Sequence, residues 1–323
     1  MTTSPTPIEQ ILTIIEQHRC FVVTGHERPD GDAVGSTLAL WHALRQLGRR
    51  VECVLQSGVP RRYAFLPGAA SVTPRMAMAQ PQVVIVADCD GVHRADISPE
   101  VLRQAEQVID IDHHGMNPPF GHVAYVDTGA CAAGELVHRL LTAAAVTIDG
   151  DIATCLYCAI AADTGFFRFR NTSRDALAIC AELVAAGADP HYIARRAAEL
   201  QPISSVLLLG RALANIQVIA DGSIITACLL PEDFAAAAAG AEETEGIIDR
   251  LKFIEGARVV ALFRDEGRGE IRVSLRAASG VNVSRIAQKF GGGGHEAAAG
   301  CTIRGPMKDA HTAVVQELRA VVV

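Results

Sequence analysis

Thr24-Gly25-His26-Glu27-Arg28-Pro29-Asp30-Gly31-Asp32-Ala33-Val34-Gly35-Ser36 links an apolar run, Cys20–Val23, to a helical pattern with Leu38, Trp41, Leu44 and Leu47 at helix spacing. His26, Asp30 and Asp32 therefore fall on a strand-to-helix turn, where open α/β sheets place their ligands. Gly25, Pro29 and Gly31 are turn residues, and Gly31 lets two carboxylates converge with no side chain between them. One imidazole and two carboxylates within seven residues make a hard-to-borderline metal donor set. Taken alone, the stretch reads equally well as a solvated loop with Asp32 capping the following helix.

Working outward, 323 residues favour two domains, each with its own core. Half of the residues are hydrophobic and a fifth are charged, the composition of a folded, soluble chain. A net charge of −7 argues against a general binder of long duplex nucleic acid, which carries a basic footprint. It leaves room for a small anionic substrate, because bound divalent cations invert the local field. The N-terminus has neither a basic nor an apolar segment of a signal peptide, and no apolar run is long enough to span a membrane. Nine cysteines without a disulfide-like framework suit a reducing cytoplasm. Cys155 and Cys158 lie inside an apolar helical pattern and read as buried core thiols.

Two further apolar runs repeat the arrangement. Val83–Ala87 is a continuous β-branched run of the kind that fills a parallel sheet buried on both faces, and it ends in Asp88-Cys89-Asp90. Val108–Ile111 ends in Asp112-His113-His114. A helix over about 151–161 closes on Asp163-Thr164-Gly165. In a parallel sheet the three strand ends share one edge, so these polar groups meet in space. The predicted fold class is α/β: an N-terminal parallel-sheet domain with flanking helices over 1–199, a connector over 200–214, and a smaller C-terminal α/β domain over 215–323. Strand-like runs at Ile216–Ala220, Ile224–Leu230, Val259–Phe263 and Glu270–Leu275 supply the second sheet, with Gly267-Arg268-Gly269 as a hairpin signal. Phe290-Gly291-Gly292-Gly293-Gly294-His295 follows; it is no P-loop, since no Lys-Ser/Thr comes after it.

Together, G-H-E-R-P-D-G-D-A, the V-V-I-V-A-D strand end, I-D-H-H and A-A-D-T-G resemble the DHH phosphoesterase superfamily. G-G-G-G-H-E-A-A-A-G looks like the nucleic-acid-binding domain that accompanies many of its members. The pattern covers about 8–320 and is most similar to the bifunctional oligoribonuclease and pAp phosphatase branch, the nanoRNases. That resemblance implies a two-manganese site, with Mg²⁺ or Co²⁺ as substitutes. His26, Asp30 and Asp88 would hold one ion; Asp32, Asp88, His113 and Asp163 would hold the other, with Asp88 bridging. His114 would face the phosphate as electrostatic stabiliser or proton donor, and Asp112 would orient an imidazole. Asp90 and Asp110 are expected at the surface or as caps.

The same resemblance implies that Gly291, Gly292, Gly293 and Gly294 let backbone amides approach a phosphate or base, and that Arg276 and His295 bind the substrate's terminal phosphate. Nine Lys/Arg against four acids over 250–290 give the right sign for a phosphodiester clamp. Members of the branch commonly carry Ser where this chain has Ala277, which puts a hydroxyl contact there in doubt. The implied activity is release of 5′-mononucleotides from very short RNA and dephosphorylation of 3′-phosphoadenosine 5′-phosphate (pAp), in a cleft between the domains that measures substrate length. The alternatives are a hydrolase of linear or cyclic dinucleotides and a non-catalytic nucleotide-binding regulator. Homodimer formation is left open, and no membrane partner is expected.

Overall fold

The computed structural model describes residues 5–115, 117–244, 246–265, 267, 269–278 and 280–322; the readings made on Met1–Ser4 and on Arg268 lie outside them. Two compact units divide the chain, Met1–Leu200 and Gln201–Val323.

The first unit runs α1 (Pro7–Gln17), β1 (Cys20–Thr24), α2 (Gly31–Gln46), β2 (Arg50–Cys53), β3 (Val83–Ala87), α3 (Pro99–Gln104), β4 (Gln107–Asp112), β5 (Val123–Val126), α4 (Ala133–Ala143), α5 (Gly150–Asp163), α6 (Arg174–Ala185) and α7 (Pro190–Ala194). Its five strands are all parallel, in the order β2-β1-β3-β4-β5. The chain thus leaves β1 toward one side and resumes at β3 on the other, which makes the β1–β3 boundary a topological switch point. Thr24 pairs with Val86 and Ala87 with Ile111, so the polar segments that follow β1, β3 and β4 emerge at one edge.

The β-branched run of β3 is buried on both faces, as its composition requires. Val83, Ile85 and Ala87 join the large core with α2, α4 and α5, while Val84 and Val86 enter a smaller cluster with Val22 and Ile97. Helix α2 runs against α5 at glycine distance. A Cβ on Gly35 would lie 2.4 Å from the Cys155 carbonyl oxygen, and one on Gly31 would lie 2.4 Å from Ala162 Cβ. Cys155 and Cys158 are buried thiols of this interface; burial pushes Cys158 up to about 12.

The second unit contains α8 (Ile203–Ala214), β6 (Ile216–Ile219), β7 (Ile224–Leu229), α9 (Pro231–Ala237), α10 (Ile247–Lys252), β8 (Val259–Asp265), β9 (Glu270–Ala277), α11 (Ser284–Lys289), β10 (Gly293–Gly294), β11 (Ala298–Arg304) and α12 (Met307–Val322). Its mixed sheet has the order β10-β11-β9-β8-β7-β6, with only β7 and β8 parallel. Residues 200–214 do not form a connector. Leu208 and Ala212 of α8 are fully buried with Ile225, Ala227 and Leu262, so this helix belongs to the second core. Strand β9 alternates cleanly: Ile271, Val273, Leu275 and Ala277 face that unit's other core, and Arg272, Ser274 and Arg276 point to the opposite face. Among the described residues, no helix is long and apolar enough to cross a membrane.

Candidate metal centre

The polar segments at the shared edge of the first unit converge. His26 Nδ1 lies 2.8 Å from the Glu27 carbonyl oxygen. A carbonyl only accepts, so Nδ1 carries the proton and donates it, and Nε2 is left to face the carboxylates. That Nε2 lies 3.8 Å from Asp30 Oδ1 and 3.6 Å from Asp88 Oδ2. The other Asp88 oxygen, Oδ1, lies 3.5 Å from His113 Nε2. His113 Nε2 is also 3.6 Å from Asp163 Oδ2 and 3.9 Å from Asp32 Oδ2. With ligand bonds of about 2.1 Å, donors around one shared cation stand about 3–4 Å apart.

Backbone structure holds each carboxylate in place. Asp30 is the N-cap of α2 and accepts from the Asp32 and Ala33 amides at 3.0 and 3.2 Å. The expected cap, Asp32, instead serves a different helix. The Ala132 N-cap of α4 makes no side-chain cap bond, and Asp32 accepts from the Ala133 and Gly134 amides there at 2.6 and 2.9 Å. Ser36 Oγ donates to Asp32 as well, at 2.8 Å. Asp163 ends α5, next to the Ala162–Gly31 contact, so Gly31 works chiefly by drawing that helix end toward α2. Asp88 has φ 57, a left-handed conformation that aspartate tolerates better than most residues.

Asp88 is 2% exposed, and its Oδ1 receives no hydrogen bond among the described residues. A buried carboxylate oxygen left unpartnered is costly unless a cation neutralises it. Five carboxylates and three imidazoles, in the overlapping groups His26/Asp30/Asp88, Asp88/Asp112/His113/His114 and Asp32/His113/Asp163, form a donor set that fits divalent cations. The protonation tendencies agree. Burial disfavours the charged form of His26, yet Asp30 and Asp88 outweigh it and push the imidazole up to about 9. His113 is likewise pushed up to about 10, against burial, by Asp88, Asp32 and Asp163. Burial, with Asp88 and Asp163, holds Asp32 well above the ordinary carboxylate range, and burial pushes Asp163 up to about 6.

His114 and Asp112 complete the cluster. His114 Nδ1 lies 2.8 Å from Asp112 Oδ1 and 3.6 Å from Asp88 Oδ1, with its side chain 38% exposed. Asp90 and Asp110, expected at the surface or as caps, are buried. Asp90 Oδ1 accepts from the Asn117 amide at 3.0 Å, and Asp110 Oδ2 from the Phe120 amide at 3.2 Å. These bonds tie the loop after β4 to the sheet. The amides of Ala133 and Gly134 and the Ser36 hydroxyl belong to the site but carried no sequence signal, because α4 meets Asp32 from 101 residues away.

Arg276, the four glycines and His295 lie in the second unit. Arg276 Nε is 3.5 Å from Asp249 Oδ1 of α10, and its Nη1 donates to the Leu275 carbonyl at 3.1 Å. His295 is exposed on a tight turn in which its amide donates to the Ala298 carbonyl at 2.7 Å, and Ala298 pairs with Arg276 across the sheet. The glycines divide into two kinds. A Cβ on Gly292 would lie 2.1 Å from the Gly300 oxygen and one on Gly294 2.6 Å from the Ala298 oxygen, so these two are required by the β10–β11 hairpin itself. Positions Gly291 and Gly293 face open space.

The parallel-sheet fold presents a cluster that could hold divalent cations, and comparison makes the assignment specific. The DHH family N-terminal domain matches residues 20–160 and the DHHA1 domain matches residues 222–323. The bifunctional oligoribonuclease and PAP phosphatase NrnA of Thermus thermophilus is 35% identical over 300 residues, covering 92% of this chain and 88% of that protein. Its namesake from Bacillus subtilis is 24% identical, over 91% and 92%. The crystal structure of an exopolyphosphatase-related protein from Bacteroides fragilis superposes with a TM-score of 0.91 at 25% identity, covering 100% of this chain and 98% of that one. The chain belongs to the DHH family.

Proposed function

We propose that the chain is a phosphohydrolase that holds two manganese ions, releases 5′-mononucleotides from very short RNA and dephosphorylates pAp. The observation that carries this reading is the division of Asp88: Oδ2 faces His26 and Oδ1 faces His113, so one carboxylate serves both donor groups. The names of the two NrnA relatives supply the substrate classes. His26, Asp30 and Asp88 would hold one ion, and Asp32, Asp88, His113 and Asp163 the other. When bound, such a pair supplies hydroxide at neutral pH and neutralises phosphoryl charge.

The remaining residues act directly. Asp112 accepts the Nδ1 proton of His114 and thereby leaves Nε2 to meet a phosphate oxygen. That hydrogen bond is the main reason the His114 imidazole is raised above its usual value, with burial opposing it. A cationic His114 stabilises the phosphoryl group and donates its Nε2 proton to the departing oxygen. Arg276 and His295 bind the substrate's far phosphate, and Gly291 and Gly293 give it room. All nine cysteines are free, which supports operation in a reducing cytoplasm.

The test is turnover by the purified chain with Mn²⁺ on labelled RNA from dinucleotides upward, pAp and cyclic di-AMP. Rapid cleavage of the shortest RNAs with phosphate release from pAp is expected. Cleavage confined to linear or cyclic dinucleotides would replace this reading with a signalling hydrolase, and tight nucleotide binding without turnover would replace it with a regulator.

A further inference from the structure

Arg272 stands on the face of β9 that also carries Arg276, the partner of Asp249 in α10, and lies directly opposite Arg264 of β8 on one side and Thr302 of β11 on the other. Like charges facing each other across a strand pair are destabilising. Arg272 is exposed, and the acid beside it in sequence, Glu270, is engaged by Arg304 at 3.2 Å. Arg264 is held by its own contacts: Nη1 donates to Thr244 Oγ1 at 2.6 Å and Nη2 to Ser274 Oγ at 3.4 Å. A cavity of about 340 Å³ opens over this pair, lined by Arg264, Arg272, Ser274, Thr302 and the backbone of Gly291 and Gly300, with no carboxylate in its wall among the described residues. Two guanidinium groups, two hydroxyls and a glycine rim are a phosphate-binding chemistry.

We infer that this cavity is a second phosphate subsite, which takes an internal phosphodiester of a short oligonucleotide. The inference rests on the phosphohydrolase reading above, in which Arg276 takes the first phosphate. Arg272 and Arg276 share a face of β9 and lie four residues apart, about 13 Å along the strand. A single nucleotide held at Arg276 does not reach that far, whereas a longer chain lying along β9 does. Positively charged grooves that track a backbone are the general device for holding single strands without sequence preference.

The test is fluorescence anisotropy of the full chain in EDTA with labelled pAp and with labelled RNA of two to five nucleotides, alongside Mn²⁺ turnover of the same substrates. Arg272→Ala is expected to lower the tetranucleotide-to-pAp affinity ratio about tenfold and to reduce the salt slope for the tetranucleotide by about 0.7, one phosphate contact on a single strand. Thr302→Val is expected to move the ratio in the same direction by less. An unmoved ratio while wild-type protein still cleaves short RNA overturns the subsite alone. So does a loss of affinity for inorganic phosphate with no change in the ratio, which marks a free-anion site. A shifted ratio with no RNA cleavage sustains the subsite and sinks the hydrolase reading, and no RNA binding at any length sinks both.

Discussion

Asp112 Oδ1 accepts a 2.8 Å hydrogen bond from His114 Nδ1, and the same oxygen accepts from the His113 amide at 2.8 Å. One carboxylate thus sets the tautomer of the exposed imidazole and the backbone position of its neighbour. Burial works against an ionised Asp112, but His114 outweighs it and holds the carboxyl below its usual range.

Asp112→Asn is expected to lower kcat by about ten- to hundred-fold with little change in KM. Loss of the carboxylate also lowers the His114 pKa. Because His114 acts while protonated, the basic limb of the pH–rate profile moves to lower pH. Superimposable wild-type and variant profiles would show that Asp112 does not act through His114.

Gly31→Ala probes the contact that draws Asp163 into the centre. The new methyl would lie 2.4 Å from Ala162 Cβ and 3.0 Å from Tyr63 Cε1. Overpacking of this kind costs about 1–3 kcal/mol. The centre is expected to lose at least about tenfold in Mn²⁺ affinity by calorimetry, beyond the fall in melting temperature, as the end of α5 shifts. Full Mn²⁺ affinity in a destabilised variant would place the strain elsewhere.

Asp110 gives a pH signature. Burial, with Asp112 and Asp90 nearby and the Phe120 amide opposing, pushes its carboxyl up to about 7 from 3.8. The folded state therefore retains a proton that the unfolded state has lost between about pH 4 and 7. Stability falls as pH rises through that window, by on the order of 4 kcal/mol, and this group adds nothing further above it. Asp110→Asn removes the dependence, so urea unfolding in chelator should show the variant gaining on wild type from pH 5 to pH 8. Parallel curves would contradict the buried, protonated carboxyl.

Arg276→Ala is expected to raise KM for pAp and short RNA about tenfold while sparing bis(p-nitrophenyl) phosphate, which has no second phosphate to anchor. Equal loss on both substrates would mean that the Arg276–Asp249 pair supports the fold instead of the ligand.

The parallel sheet was legible because its strands are β-branched runs that each stop at a polar cluster, and parallel topology then brings those clusters to one edge. His26, Asp30, Asp32, Asp88 and His113 were readable as neighbours on that ground, whereas Asp163, at the end of helix α5, was named through the family resemblance. Three things were not legible. Asp32 caps a helix 101 residues away, a tertiary event with no local signature. Residues 200–214 lack a strong pattern because only Leu208 and Ala212 of α8 are deeply buried, so the helix passed for a connector. Strand β11 begins Ala298-Ala299-Gly300, where small residues hide the alternation that a strand normally shows.

The most direct measurement is Mn²⁺ stoichiometry by calorimetry on wild type and Asp88→Ala, paired with turnover of an RNA dinucleotide. Wild type should bind two ions per chain. Asp88→Ala should lose the paired binding and at least about a thousandfold in turnover, about 4 kcal/mol of barrier. Wild-type turnover by Asp88→Ala, or full activity with a single ion bound, would contradict a centre built on the two oxygens of Asp88.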